Sequence, residues 1–192
     1  MSKTAAEVQI PVATNKSAMI TDGGKMRRHV ISTLVQNAPG LLAQVANLFA
    51  ARAYNIDSLT VGETENPHFS RMTISMRGDD KAAEAMKQGL RKFIYVIKVL
   101  DLTGIDHVER DLALIKVNIP AGQRQELLQL VEVFEGKVVD IGIKDIMVEI
   151  VGPEQKIDAF LTVVRPFGIK EMARTGRLAM ARGSMMEGKE VD

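Results

Sequence analysis

The chain has 192 residues, 46% of them hydrophobic, which suits one large or two small globular domains and excludes disorder throughout. Its 25 basic and 24 acidic side chains nearly cancel, which argues against a protein that mainly coats nucleic acid or a membrane. The absence of cysteine excludes a disulfide framework, a thiolate nucleophile and a zinc–thiolate cluster, and a reducing, cytoplasmic setting is expected.

Residues 1–27 are small, polar and non-periodic and end in the turn chemistry of Thr21-Asp22-Gly23-Gly24, so they read as a flexible tail. They hold no continuous apolar signal core, and no run anywhere reaches the ~18 apolar residues of a membrane helix. HVISTLVQ, residues 29–36, is rich in β-branched and aliphatic types and reads as a buried strand ending at Asn37. Pro39 then sets φ for a first helical turn, and Gly40 lets a backbone or ligand come close. Leu41, Leu42, Val45, Leu48 and Phe49 follow at three- and four-residue steps, which is the core face of an amphipathic helix, with Asn55 beyond it. Ile56 to Glu63 and Phe69 to Met76 read as two strands of a hairpin around the turn Thr64 to His68. Arg77-Gly78-Asp79-Asp80 ends the hairpin and can cap a helix from Lys81 to Lys92 that carries Ala82, Met86 and Leu90. Phe93 to Leu102 reads as a fourth strand.

That order, βαββαβ, is the ferredoxin-like unit, an antiparallel sheet with two helices on one face. It recurs: strand Leu112 to Ile119, helix Gln123 to Phe134, strands Lys137 to Ile143 and Asp145 to Val151, a helix opened by Gly152-Pro153, and a last strand Gly168 to Arg174. The second helix face carries Ile157, Phe160, Leu161 and Val164. Identity between the halves is low, so the repeat is one of element order. The expected fold is α+β with two such units, at 28–102 and 112–183, joined by a linker at 103–111 and followed by a polar tail at 184–192.

Groups for catalysis are few. His29, His68 and His107 lie far apart and lack a second ligand at helical spacing. Asp106, His107 and Glu109 are close together, but in the expected linker capping and salt bridging explain them. There is no nucleophile-elbow serine. Gly183 to Lys189 has P-loop spacing, yet Glu190 stands where a Ser or Thr would meet magnesium and no helix can follow. Arg165, Lys170, Arg174, Arg177 and Arg182 form a basic stretch whose only aromatic is Phe167, so a solvated or protein-docking face is preferred to a nucleic-acid strip. Met172, Met180, Met185 and Met186 nearby read equally as core or as an adaptable contact surface.

The first loop and helix start remain. A free amino acid needs amide donors for its carboxylate, acceptors for its ammonium and a pocket for its side chain. Backbone N–H groups of Gly40, Leu41 and Leu42 can supply the first, and Asn37 and Asn55 carry both donor and acceptor functions. Leu41, Ile56 and Leu59 can line a small apolar pocket. The competing reading is that Asn37 caps the helix and Asn55 makes the turn into the next strand.

Asn37-Ala38-Pro39-Gly40, Ala53-Tyr54-Asn55-Ile56-Asp57-Ser58-Leu59, Ser70-Arg71-Met72-Thr73-Ile74 and His107-Val108-Glu109-Arg110-Asp111-Leu112 resemble the small regulatory subunits of acetolactate synthase. Val164 to Gly176, VRPFGIKEMARTG, is similar to that family's carboxyl domain. The resemblance runs from about Met26 to Gly183. It implies an ACT domain first and an ACT-like domain second, pairing of ACT domains into a homodimer, and a branched-chain amino acid, typically valine, bound between subunits. The effector-binding residues it implies are Asn37, Gly40, Leu41 and Leu42 of one subunit and Asn55 and Ile56 of the other. It further implies a non-catalytic subunit of branched-chain amino acid biosynthesis that binds and activates the large subunit and confers feedback inhibition. Thiamine diphosphate, Mg2+ and FAD would belong to that large subunit, leaving this chain with no cofactor, no nucleic acid and no membrane. Phe134-Glu135-Gly136-Lys137 departs from the pattern, with an acid where many relatives have Arg. The alternative is a free-standing ACT-domain amino-acid sensor or transcriptional regulator that uses the basic stretch.

Overall fold

The computed structural model describes residues 25–120 and 122–183. The expected tails before residue 25 and after 183 lie outside the described residues, as does most of the P-loop-like segment.

The first half contains β1 (Arg27–Gln36), α1 (Leu41–Ala50), β2 (Ile56–Glu63), β3 (Phe69–Gly78), α2 (Asp80–Arg91) and β4 (Val96–Asp101). Its four strands form an antiparallel sheet in the order β2-β3-β1-β4. Ile31, Val35, Met72, Ile74 and Met76 face the helices and pack on Leu41, Val45 and Phe49 of α1 and Ala82, Met86 and Leu90 of α2. At α2 the expected cap is present: the Asp79 carboxylate accepts from the Ala82 N–H at 2.7 Å.

The second half repeats this with β5 (His107–Asn118), α3 (Arg124–Val133), β6 (Lys137–Ile141), β7 (Asp145–Gly152), α4 (Glu154–Val164) and β8 (Ile169–Arg174). Its sheet runs β6-β7-β5-β8. A separate core gathers Ile115, Val117, Val148 and Ile150 under Leu127, Val131, Ile157 and Phe160. Phe134 meets Phe160 edge to face, with ring centroids 5.4 Å apart. The unusual acid Glu135 ends α3 at φ +51 and pairs with Lys156 at 2.8 Å.

Several expectations need correction. The fourth strand starts at Val96, because Phe93 and Val96 close tight turns onto Leu90 and Phe93 and leave Ile94 87% exposed. Leu42, read as a core residue, is 49% exposed, because the buried stripe of α1 steps by four through Leu41, Val45 and Phe49. The stretch read as a linker is strand from His107 onward: His107 to Arg110 pair with a further strand, β9 (Leu178–Ala181), that sequence reasoning missed. β9 has four residues and little alternation to show, and its ladder partner is some seventy positions away. Ala179 of β9 packs with Val30 and Leu102, so this ribbon fastens the second half to the first.

Candidate functional site

The turn before α1 is formed by Pro39 and Gly40. Gly40, at φ +80, stands at the N-cap, so Pro39 precedes the helix rather than opening it. Gln44 N–H is bonded to Gly40 O at 3.1 Å, and Leu41 N–H leans on Ala38 O at 3.4 Å. The N–H groups of the first turn have no intrahelical acceptor, so they point out of the helix end.

Asn37 does not cap this helix. Its side-chain amide donates to Pro67 O at 2.6 Å, its side-chain oxygen accepts from the Ser70 hydroxyl, and its backbone N–H reaches His68 O at 2.9 Å. It ties the turn to the β2–β3 hairpin, a role that needs the tertiary pairing and has no local sequence signal. At the other end of α1 the chain turns through Ala53 at φ +55, and Tyr54 N–H closes onto Phe49 O at 3.1 Å. Asn55 follows, exposed, with its amide 3.4 Å from Asp57.

The six sequence-derived residues do not converge within one chain. Asn37 follows Gln36, which pairs with Phe69, whereas Ile56 pairs with Met76 at the opposite end of the same strand β3. The seven steps from Phe69 to Met76 span about 23 Å at ~3.3 Å per residue. Asn37, Gly40, Leu41 and Leu42 thus lie at one end of the sheet and Asn55 and Ile56 at the other. Leu41 is 4% exposed and belongs to the core, while Ile56 and Leu59 pack partly against it.

The remaining candidates are engaged elsewhere. Buried His29 lies 3.2 Å from Gly78 O through Nε2, and His107 lies 2.7 Å from Ile105 O through Nδ1. Among the described residues no group of three or more His, Asp or Glu is placed to hold a metal, and no helix is long and apolar enough to cross a membrane. Most of the basic stretch is spent on ion pairs: Lys170 with Asp145, Arg174 with Asp111 and Asp158, Arg177 with Glu109 and Glu154, and Arg182 with Asp106. Met172 and Met180 are exposed rather than core.

Residues 31–98 match the model of the AHAS small subunit-like ACT domain, and residues 110–183 match that of the small subunit of acetolactate synthase. The acetolactate synthase small subunit of Aquifex aeolicus is 47% identical over 168 residues, which cover 87% of this chain and 88% of that protein. A probable acetolactate synthase small subunit of Methanothermobacter thermautotrophicus is 48% identical over 81% of this chain and 94% of its own length. The crystal structure of the small subunit from Thermotoga maritima superposes with a TM-score of 0.75 at 43% identity, covering 81% of this chain and 98% of that one. With both halves of the chain matched in order, the protein belongs to the family of acetolactate synthase small subunits and carries an ACT domain in its first half.

Proposed function

We propose that this chain acts as a non-catalytic regulatory subunit: it binds and activates a catalytic large subunit and imposes feedback inhibition when valine, or another branched-chain amino acid, binds between two copies. Residues 28–102 would be the effector-binding domain and 112–183 a second ferredoxin-like domain. Thiamine diphosphate, a divalent metal and FAD are assigned to the large subunit.

The observation that carries this reading is the separation of the two half-sites along β3. A ligand a few ångströms long cannot touch both ends of one sheet, so it needs a second chain. β2 is an edge strand, and its outer backbone groups are open to another strand. If two β2 strands pair antiparallel across a twofold axis, Ile56 of one chain comes level with the far end of β2 in the other. There Glu63 pairs with Ser70, which holds Asn37. One pairing thus closes two equivalent pockets, each with helix-start N–H groups from one copy and Asn55 and Ile56 from the other. Bound ligand then shifts the complex by its differential affinity for the inhibited state.

Calorimetry with valine, leucine and isoleucine on wild type and Asn37→Ala tests the site. At least one of the three should bind wild type, and the variant should bind it ten-fold or more weakly while remaining dimeric by sedimentation. Equal affinity for both proteins removes the proposed site, and a monomeric wild type removes the two-chain pocket.

A further inference from the structure

The turn between α2 and β4 carries an exposed patch that the effector site does not use. Residues 91–98, RKFIYVIK, hold three cations and no acid. Tight turns from Phe93 N–H to Leu90 O at 3.1 Å and from Val96 N–H to Phe93 O at 3.0 Å bend the chain here. Phe93 and Val96 pack partly against the core, and Ile94 and Tyr95 are left outside. The β1–β4 ladder then pairs Val35 with Val96 and Leu34 with Lys98, so Ile97 is the extra residue of a bulge and is 51% exposed. Arg91, Lys92 and Lys98 flank these side chains and are exposed. Among the described residues Lys92 and Lys98 form no ion pair, in contrast with most of the basic stretch near the end of the chain.

The fold does not require this exposure. The same connection in the second half, Arg165–Phe167 between α4 and β8, buries its large apolar residue, Phe167. Edge protection explains a bulge and lysines on β4, since both discourage a further strand. It does not explain two isoleucines in water, whereas an apolar centre with a charged rim is the anatomy of a protein contact. Charge then selects the occupant. A twofold contact with a second copy would set these cations against their own images, which repels. A partner that surrounds an apolar depression with carboxylates is complementary. The patch lies at the β4 edge, across the sheet from β2, so it stays open when two β2 strands pair. Tyr95 O accepts from Gln36 N–H at 2.8 Å, and Asn37 of the helix-start site is the next residue, so the patch and that site share a backbone joint.

We propose that the patch centred on Ile94, Tyr95 and Ile97 docks into an apolar depression rimmed by carboxylates on the catalytic large subunit. Ile94 and Ile97 fill the depression, and Lys92 and Lys98 meet its rim. The identity of this partner rests on the regulatory reading given above. A ligand at the helix start is then one residue and one hydrogen bond away from the surface that touches the enzyme.

The test is calorimetric titration of the full-length chain into the purified large subunit at low and at high salt. Ile94→Glu should weaken the complex about ten-fold or more. Lys92→Glu combined with Lys98→Glu should weaken it at low salt and flatten its salt dependence. Both variants should keep the wild-type oligomeric state by sedimentation and the wild-type affinity for the branched-chain amino acid, and the lysine variant decides if Ile94→Glu fails to fold. Ile143→Glu, at a residue 91% exposed on the β6–β7 turn, should bind the large subunit as wild type does. The proposal is overturned if a folded Ile94→Glu or the lysine variant binds at low salt like wild type, or if Ile143→Glu weakens the complex equally. It is also overturned if Ile94→Glu lowers the oligomeric state, which assigns the patch to a second copy. Wild type that sediments with phosphatidylserine vesicles, when Ile94→Glu does not, assigns the patch to a membrane and overturns it as well. A wild type that binds no large subunit removes this contact and the regulatory reading together, whereas a complex that Ile94→Glu leaves intact removes this contact alone.

Discussion

Gly40 combines two properties that make it the most informative single residue. Its φ of +80 lies in the left-handed region, and a Cβ built on it meets nothing within 4 Å. A side chain there costs backbone strain of about 1 kcal/mol but no clash, and Asp tolerates this region better than most residues. Gly40→Asp should therefore fold, while its carboxylate occupies the mouth of the helix start and repels the carboxylate of an amino acid. In an assay reconstituted with the large subunit, the variant should lose inhibition by valine and keep activation. Loss of both would point to a broken fold instead. The importance of Gly40 is legible in the sequence because Pro-Gly before an apolar period marks a helix start. The partners of Asn37 are not, since Pro67 and Ser70 approach it only after β1 and β3 pair.

Between elements, α2 is tethered to β4 by Lys87, which donates to Asp101 at 3.0 Å and also pairs with Glu84. Burial raises the Asp101 carboxyl, but hydrogen bonds from the Thr103 hydroxyl and N–H and from Lys87 outweigh it and leave the group below the usual carboxylate value. Burial likewise lowers the Lys87 ammonium, yet Glu84 and Asp101 together raise it above the usual lysine value. The carboxylate's contribution is thus present above the ordinary aspartate range and is lost as pH falls through the depressed value in the fold. Asp101→Asn should lower stability near neutrality by about 1 kcal/mol and flatten its decline on acidification, as read from urea unfolding between pH 7 and 3. An unchanged acid slope would show the tether to be energetically idle. Elements of this kind were readable from apolar period and caps: α2 was recognisable from Asp79 and from Ala82, Met86 and Leu90. β9 was not, because four residues carrying one buried alanine have no period to detect.

At the scale of the whole molecule, the two halves touch through Gly176. It sits at φ +83, and an added Cβ would come 3.1 Å from Thr60 Oγ1 and 3.2 Å from Ser58 Cβ on β2. The Thr60 hydroxyl reinforces this contact by donating to Thr175 O at 3.2 Å. Gly122 has nearly the same φ, +81, with open space around it, and so isolates the backbone cost. Gly122→Ala should lose about 1 kcal/mol, whereas Gly176→Ala should lose about 1–3 kcal/mol more because a methyl there crowds Ser58 and Thr60 of β2. Denaturant unfolding of the two variants side by side measures the difference, and equal losses would mean the junction is loosely packed.

By itself the sequence determined the two βαββαβ repeats, most of the buried faces of α1, α2 and α4 and the glycine at the first helix start, because these depend on periods and turn chemistry within some fifteen residues. Only the tertiary structure decided what depends on distant pairing. It showed that Asn37 and Asn55 belong to opposite ends of one sheet, that most of the basic stretch is neutralised by carboxylates from other elements, and that β5 and β9 fasten the halves around a polar cleft. Local preference is set by neighbours along the chain, whereas ion pairs, ladder registers and clefts are set by neighbours in space, which only the folded chain defines.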